Sequence, residues 1–206
     1  MNAPNVTSLS KADTTPLNTL LRHVLPFVPR VPHAMALDLL RQKYIDFSRR
    51  TRILCCKVIT DYQAGVYDYQ LEAPDGYEVY TVLGIPRMGW NGSIIWDKRF
   101  DVVDNNRIYL HSAPSSDYRN GLQVYVTLLP TECVDYIPTS ISIPFGQKIA
   151  RGVVGDLLFL PNKDWTNAGL GRKYELDYER MILSARALAV SNRKVDSNLI
   201  KPVRIL

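Results

Sequence analysis

Cysteine is scarce in this 206-residue chain. Cys55, Cys56 and Cys133 are an odd number and two of them are adjacent, which makes a poor disulfide framework. Free thiols are expected, with Cys55 and Cys56 on opposite faces of one strand and Cys133 as a small buried apolar residue. Histidine is equally sparse: His23, His33 and His111 are scattered and none pairs with a cysteine at metal-ligand spacing, so no metal is expected. No apolar run reaches the ~18 residues that cross a bilayer, so no membrane partner is expected. Residues 1–14 are polar, without the apolar stretch of a secretory leader, and read as a disordered arm. The phosphate-cradling loop, the Gly-x-Ser-x-Gly elbow, the helix-turn-helix and the RNP signature are all absent. Gly169-Leu170-Gly171 is too short to bind phosphate. Glu175 and Glu179 lie four apart, but Arg172 and Lys173 beside them make helix-surface pairing the simpler account. The expectation is a protein with no catalytic residue and no cofactor, and so not an enzyme.

Apolar residues make up 46% of the chain, ordinary for a globular protein, and a chain this long buries roughly 70% of its unfolded surface. The net charge of +5 is uneven. Residues 1–145 hold 14 basic and 14 acidic side chains, whereas residues 146–206 hold 11 against 6. The basic third is either a solvated helix face or a surface for an anionic partner. The 12 tyrosines concentrate between Tyr62 and Tyr136, and three readings fit them: a sheet face, a protein interface, or a stacking platform for single strands.

Periodicity divides the chain. Thr15 as N-cap and Pro16 at the first helical position open a short helix carrying Leu17, Leu20, Leu21, Val24 and Leu25, which Pro26 and Pro29 end. Leu37, Leu40, Tyr44 and Phe47 predict a second helix from about Pro32 to Arg50. From Ile53 to Leu129 the composition is that of strands, with turns at Asp75-Gly76, Asn91-Gly92 and Asn105-Asn106. Leu122, Val124, Val126 and Leu128 alternate with Gln123, Tyr125 and Thr127, as in a strand with one buried face. Helical signals return at Pro144 with Phe145, Ile149, Val153, Leu157 and Leu160. Gly146, Gly152 and Gly155 are unfavourable in that helix, and close packing against another helix or another subunit explains them. A last helix opens near Thr166 or Asn167 and runs to about Asn192, its stripe being Leu170, Tyr174, Tyr178, Met181, Ala185 and Leu188.

The fold class predicted is α+β: a four-helix bundle (15–52 and 140–193) interrupted by an inserted antiparallel β-sheet or sandwich domain (53–139), with extended N- and C-terminal arms (1–14 and 194–206).

Several segments resemble one family. Leu21-Arg22-His23-Val24-Leu25-Pro26-Phe27-Val28-Pro29 through Val31-Pro32 is similar to its opening L-x-x-V-x-P-x-V-P-x-x-P. Asp46-Phe47-Ser48-Arg49-Arg50-Thr51 resembles its E-F-C-x-R-T. Tyr62 to Tyr69 resembles V-x-A-G-Q-x-x-Y, and Leu71 to Leu83 resembles L-x-P-P-x-x-x-x-V-x-x-V-L. Ile149 to Lys163 with Asp164-Trp165 resembles A-I-A-x-G-A-L-x-x-L-L-x-M-P-x-K-P-W. The family is the head-to-tail adaptors, or connectors, of tailed bacteriophages, especially short-tailed ones. The likeness spans most of residues 20 to 194, is only general from Met88 to Pro138, and ends before Asn198. It implies a structural virion protein, made in the host cytoplasm, that forms a homo-oligomeric and typically dodecameric ring. Such a ring joins the portal protein to a tail nozzle or tail-tube protein and lines the DNA channel with transient, non-specific DNA contacts. It places Arg193, Lys194, Lys201, Arg204, Ile205 and Leu206 at the portal, and Gly146, Gly152 and Gly155 at subunit contacts. A sequence-independent nucleic-acid-binding module using the basic third is the alternative, and a phage-encoded hydrolase a distant third.

Overall fold

The computed structural model describes residues 14–88, 94–97 and 99–196. Two compact units divide them: 14–51 with Pro130–Arg186, and Arg52–Leu129 with 187–196.

The first unit is mainly helical. Strand β1 (Thr14–Pro16) pairs antiparallel with β9 (Tyr136–Pro138), Thr15 facing Ile137. A 3-10 helix (Leu17–His23) follows, buried through Leu17, Leu20 and Leu21. Helix α1 (His33–Thr51) buries Ala36, Leu40, Tyr44, Phe47 and Thr51, spaced three or four apart on one face. A continuous helical run covers 139–158: a single turn α2 (Thr139–Ile141), a π-helical segment (Ser142–Gly146) and α3 (Gln147–Leu158). Pro144 has no N–H for the carbonyl four residues back, and the helix widens there. Phe145, beside it, meets Phe47 of α1 with ring centroids 5.4 Å apart. Helix α4 (Ala168–Asp196) is the longest. Asn167 caps it, its side-chain oxygen accepting the Leu170 N–H at 3.0 Å.

Among the described residues, the second unit contains seven strands in two antiparallel sheets. One has the order β2-β8-β4-β5: β2 (Cys55–Tyr62), β8 (Tyr118–Pro130), β4 (Tyr77–Met88) and β5 (Ile94–Asp97). The other has the order β3-β7-β6: β3 (Asp68–Gln70), β7 (Arg107–Leu110) and β6 (Phe100–Asp104). Leu122, Val124, Val126 and Leu128 are all buried, as alternation requires, and Val58, Leu71, Val79 and Ile108 extend the core. Asn105 and Asn106 make the β6–β7 turn. Asn91-Gly92 lies outside the described residues.

Five expectations need correction. The helices do not form a four-helix bundle. Where a first α-helix was expected, Thr14–Pro16 is β-strand and Leu17–His23 is a 3-10 helix without a side-chain cap. The Val24 N–H bonds the Leu21 carbonyl three residues back and the Leu25 N–H bonds it four back, both at 2.9 Å, and the chain then turns through Pro26 and Pro29, which cut the helix short. Cys133 is exposed rather than buried; it sits in the turn between β8 and β9, where Val134 takes the buried place. The final helix continues to Asp196, past its expected end near Asn192, so Lys194 is helical rather than part of an extended arm. Leu188 of the expected α4 stripe is exposed, and Ile182 and Ala189 are buried instead.

Candidate interaction surfaces

The three glycines singled out in the sequence are buried against this chain's own elements. A Cβ on Gly146 would stand 3.0 Å from Leu20 Cδ2 of the 3-10 helix. On Gly152 it would stand 2.8 Å from both Lys43 Cε of α1 and Tyr178 Cδ2 of α4. Gly155 meets α4 backbone to backbone: its Cβ would stand 3.4 Å from the Gly171 carbonyl oxygen. A Cβ on Gly171 would in turn stand 3.2 Å from the Gly155 carbonyl oxygen. The partner of Gly155 was missed in the sequence because Gly171 was weighed only as part of a phosphate loop.

The space at Gly152 admits a polar junction among α1, α3 and α4. Lys43 Nζ donates to Asp156 Oδ1 at 2.8 Å and lies 4.6 Å from the centre of the Tyr178 ring. The Tyr178 hydroxyl lies 3.0 Å from Asp46 Oδ2 and 3.1 Å from the Lys43 carbonyl oxygen, sharing one proton between two acceptors. Burial, and then the Asp46 carboxylate, push the Tyr178 phenol far above its ordinary range. Arg50 grips Glu179 with two bonds of 2.7 and 2.5 Å and also reaches Asp46 at 3.4 Å. That grip raises Arg50 further and lowers Glu179. These contacts hold α1, α3 and α4 together. One buried polar atom lacks a partner among the described residues: the Ser48 hydroxyl on α1.

Among the described residues nothing comparable surrounds a reactive group. Burial and the neighbouring Cys55 push the Cys56 thiol up to about 11, so it stays protonated at neutral pH. Among the described residues no three His, Cys, Asp or Glu side chains gather as a metal site, and no helix is long and apolar enough to cross a membrane. Two shallow clefts open on the surface. One of about 300 Å³ lies between Tyr62, Arg99 and Tyr118; the other, of about 470 Å³, lies along α1 between Arg41, Asp46 and Arg49.

What the surface does present is apolar. On α4, Leu176, Leu183 and Val190 are all exposed and recur every seven residues, a stripe separate from the buried one through Tyr178, Met181, Ile182 and Ala185. Ile143 in the π-helical segment is 79% exposed. In the β unit, Tyr67 stacks on Tyr109 at 5.7 Å, both half exposed. Tyr69 and Tyr77 are buried, so the tyrosines serve more than one purpose. The basic third of the chain is partly neutralised: Arg172 pairs with Glu175, and Arg180 with Asp177. Of the residues expected at a portal, Arg193 and Lys194 lie in α4, while Lys201, Arg204, Ile205 and Leu206 lie outside the described residues.

No family model matches the chain, and no curated protein matches it either.

Proposed function

We propose that this protein is a structural subunit of a tailed bacteriophage: a head-to-tail adaptor that works as one member of a ring between the portal protein and the tail. The observation that carries the reading is the outward stripe of α4. Leu176, Leu183 and Val190 face away from a helix side already packed through Tyr178, Met181 and Ala185. A second apolar stripe on a helix that has filled its first one suits burial against another chain. The motif resemblance across residues 20–194 supplies the kind of assembly. The function is then mechanical. The subunit matches one ring surface to the next, keeps the DNA channel continuous, and touches the passing genome weakly and without sequence preference. It resides in the virion.

Imaging of the native particle tests this directly. Copies arranged as a ring at the head–tail junction are expected; copies elsewhere in the particle overturn the reading. In solution, replacing Leu176 and Leu183 together by glutamate is expected to weaken self-association at least about tenfold while leaving the far-UV dichroism unchanged. The nucleic-acid reading predicts instead a monomer whose DNA affinity falls steeply with salt. The ion pairs of Arg172 and Arg180 with their own helix neighbours count against it.

A further inference from the structure

Strand β6 is an edge. In the sheet order β3-β7-β6 its outer side has no neighbour among the described residues, and Asp101, Val102, Val103 and Asp104 are all exposed. Val102 is 50% and Val103 55% exposed, so both faces of the strand carry uncovered apolar surface. Such an edge is a template for another strand. It is poorly suited to pairing with its own copy, because an antiparallel β6–β6 ladder gathers four aspartates along one short seam. It is suited to a strand that is basic and apolar by turns.

This chain has one. Its last residues read Lys201-Pro202-Val203-Arg204-Ile205-Leu206. Laid antiparallel on β6, they place Ile205 opposite Phe100, Arg204 opposite Asp101 and Val203 opposite Val102. Past Val102 the register of β6 on β7 shifts by one residue, and Pro202 and Lys201 run alongside the irregular stretch Val103–Asp104. Asp101 then meets a cation, Phe100 and Val102 meet apolar residues, and Lys201 comes into the neighbourhood of Asp104. The backbone agrees. The His111 N–H donates to the Arg99 carbonyl at 3.0 Å, which turns the peptide groups of Arg99 towards β7. Antiparallel alternation then turns those of Phe100 and Val102 outward. Their partners in this register are Ile205 and Val203, which both have an N–H to give, and Pro202, which has none, lies beyond them at the register shift. Asp101 already meets His111 at 3.0 Å, and Asp104 meets Arg107 at 3.9 Å. A carboxylate has lone pairs for a second donor.

We propose that the C-terminal segment Lys201–Leu206 of one copy adds a strand to β6 of its neighbour. The choice of a neighbour rests on the ring reading; the register rests on β6 and the sequence alone. The assignment gives Arg204 and Ile205 a partner on β6, brings Lys201 close to it, and leaves Arg193 and Lys194 for the portal.

Charge exchange on the full chain tests it, read by sedimentation. One variant carries Asp101→Lys and Asp104→Lys, the other Lys201→Asp and Arg204→Asp. All four sites are charged in the parent, and dichroism checks that both variants fold. Each variant alone is expected to self-associate at least about tenfold more weakly than wild type, and an equimolar mixture to recover association, since each tail then meets an edge of opposite charge. In wild type the Phe100 and Val102 amides are expected to be protected from hydrogen exchange, and in the tail variant to lose that protection. Undiminished association of the single variants, or a mixture no stronger than its components, overturns the strand while leaving the ring reading intact. A wild type monomeric at every concentration overturns both.

Discussion

Gly152 occupies a position where the smallest possible side chain already collides with two helices, with Lys43 Cε and Tyr178 Cδ2 both 2.8 Å from a built Cβ. The Tyr178 ring cannot retreat without giving up its hydroxyl contacts to Asp46 and the Lys43 carbonyl. Gly152→Ala is therefore expected to lower the unfolding free energy by roughly 1–3 kcal/mol, measured by denaturant titration, despite the gain in helix propensity. Ser48 behaves oppositely. Its hydroxyl is buried without a partner, so Ser48→Ala is expected to raise stability by about 1 kcal/mol in the same titration. The glycines stood out in the sequence as misfits, but their partners did not, because Lys43 and Tyr178 lie far from Gly152 along the chain. Cys133 was misjudged for the converse reason. Its residue type favours burial, whereas its place beside Val134 in a turn decides exposure.

At the scale of elements, α1 and α4 are joined by the Arg50–Glu179 pair, and its sign with pH follows from Glu179. The folded carboxyl titrates below its ordinary value because Arg50 binds the ionised form. The stabilisation is thus full above the unfolded carboxyl's range near pH ~4.3 and is lost as pH falls through the lower folded value. The pair is half exposed, so Glu179→Gln is expected to cost only about 0.5 kcal/mol at pH 7, a difference that closes under acid and appears in thermal unfolding at the two pH values. Elements with strong periodicity were legible: β8 by strict alternation, α1 by its three- and four-residue steps, the start of α4 by Asn167. The segment before α1 was not. Its leucines have helical spacing, but spacing does not separate a 3-10 helix from an α-helix when prolines bound so short a run. The continuation of α4 to Asp196 was also missed, because polar residues end an apolar stripe without ending a helix.

In the whole molecule, the strand-rich segment Arg52–Leu129 holds its own core: Val58, Leu71, Val79, Ile108, Leu122, Val124 and Val126 are all buried and all fall within it. Expressed alone, that segment is expected to keep the amides of Leu122, Val124 and Val126 protected from hydrogen exchange; rapid exchange there would show that its sheets need the rest of the chain. The division of the chain into a helical and a strand-rich part was visible in composition. The bundle was not realised because one of its four supposed members is too short to span it. The candidate site was the least legible level. Both surfaces on which the proposals rest, the α4 stripe and the β6 edge, are apolar residues left outside, and a sequence does not say which apolar residues find no room within.

The edge of β6, without a neighbour among the described residues, also carries a rule of arithmetic. If the proposed strand addition fills it, each copy has one such edge to fill and one segment to give, so an open row of copies always leaves one of each idle, whatever its length. Closing the row joins those last two ends without bringing in another molecule, so that contact forms at high effective concentration. Complete rings are then favoured over partial arcs, and the species between monomer and ring stay scarce during assembly.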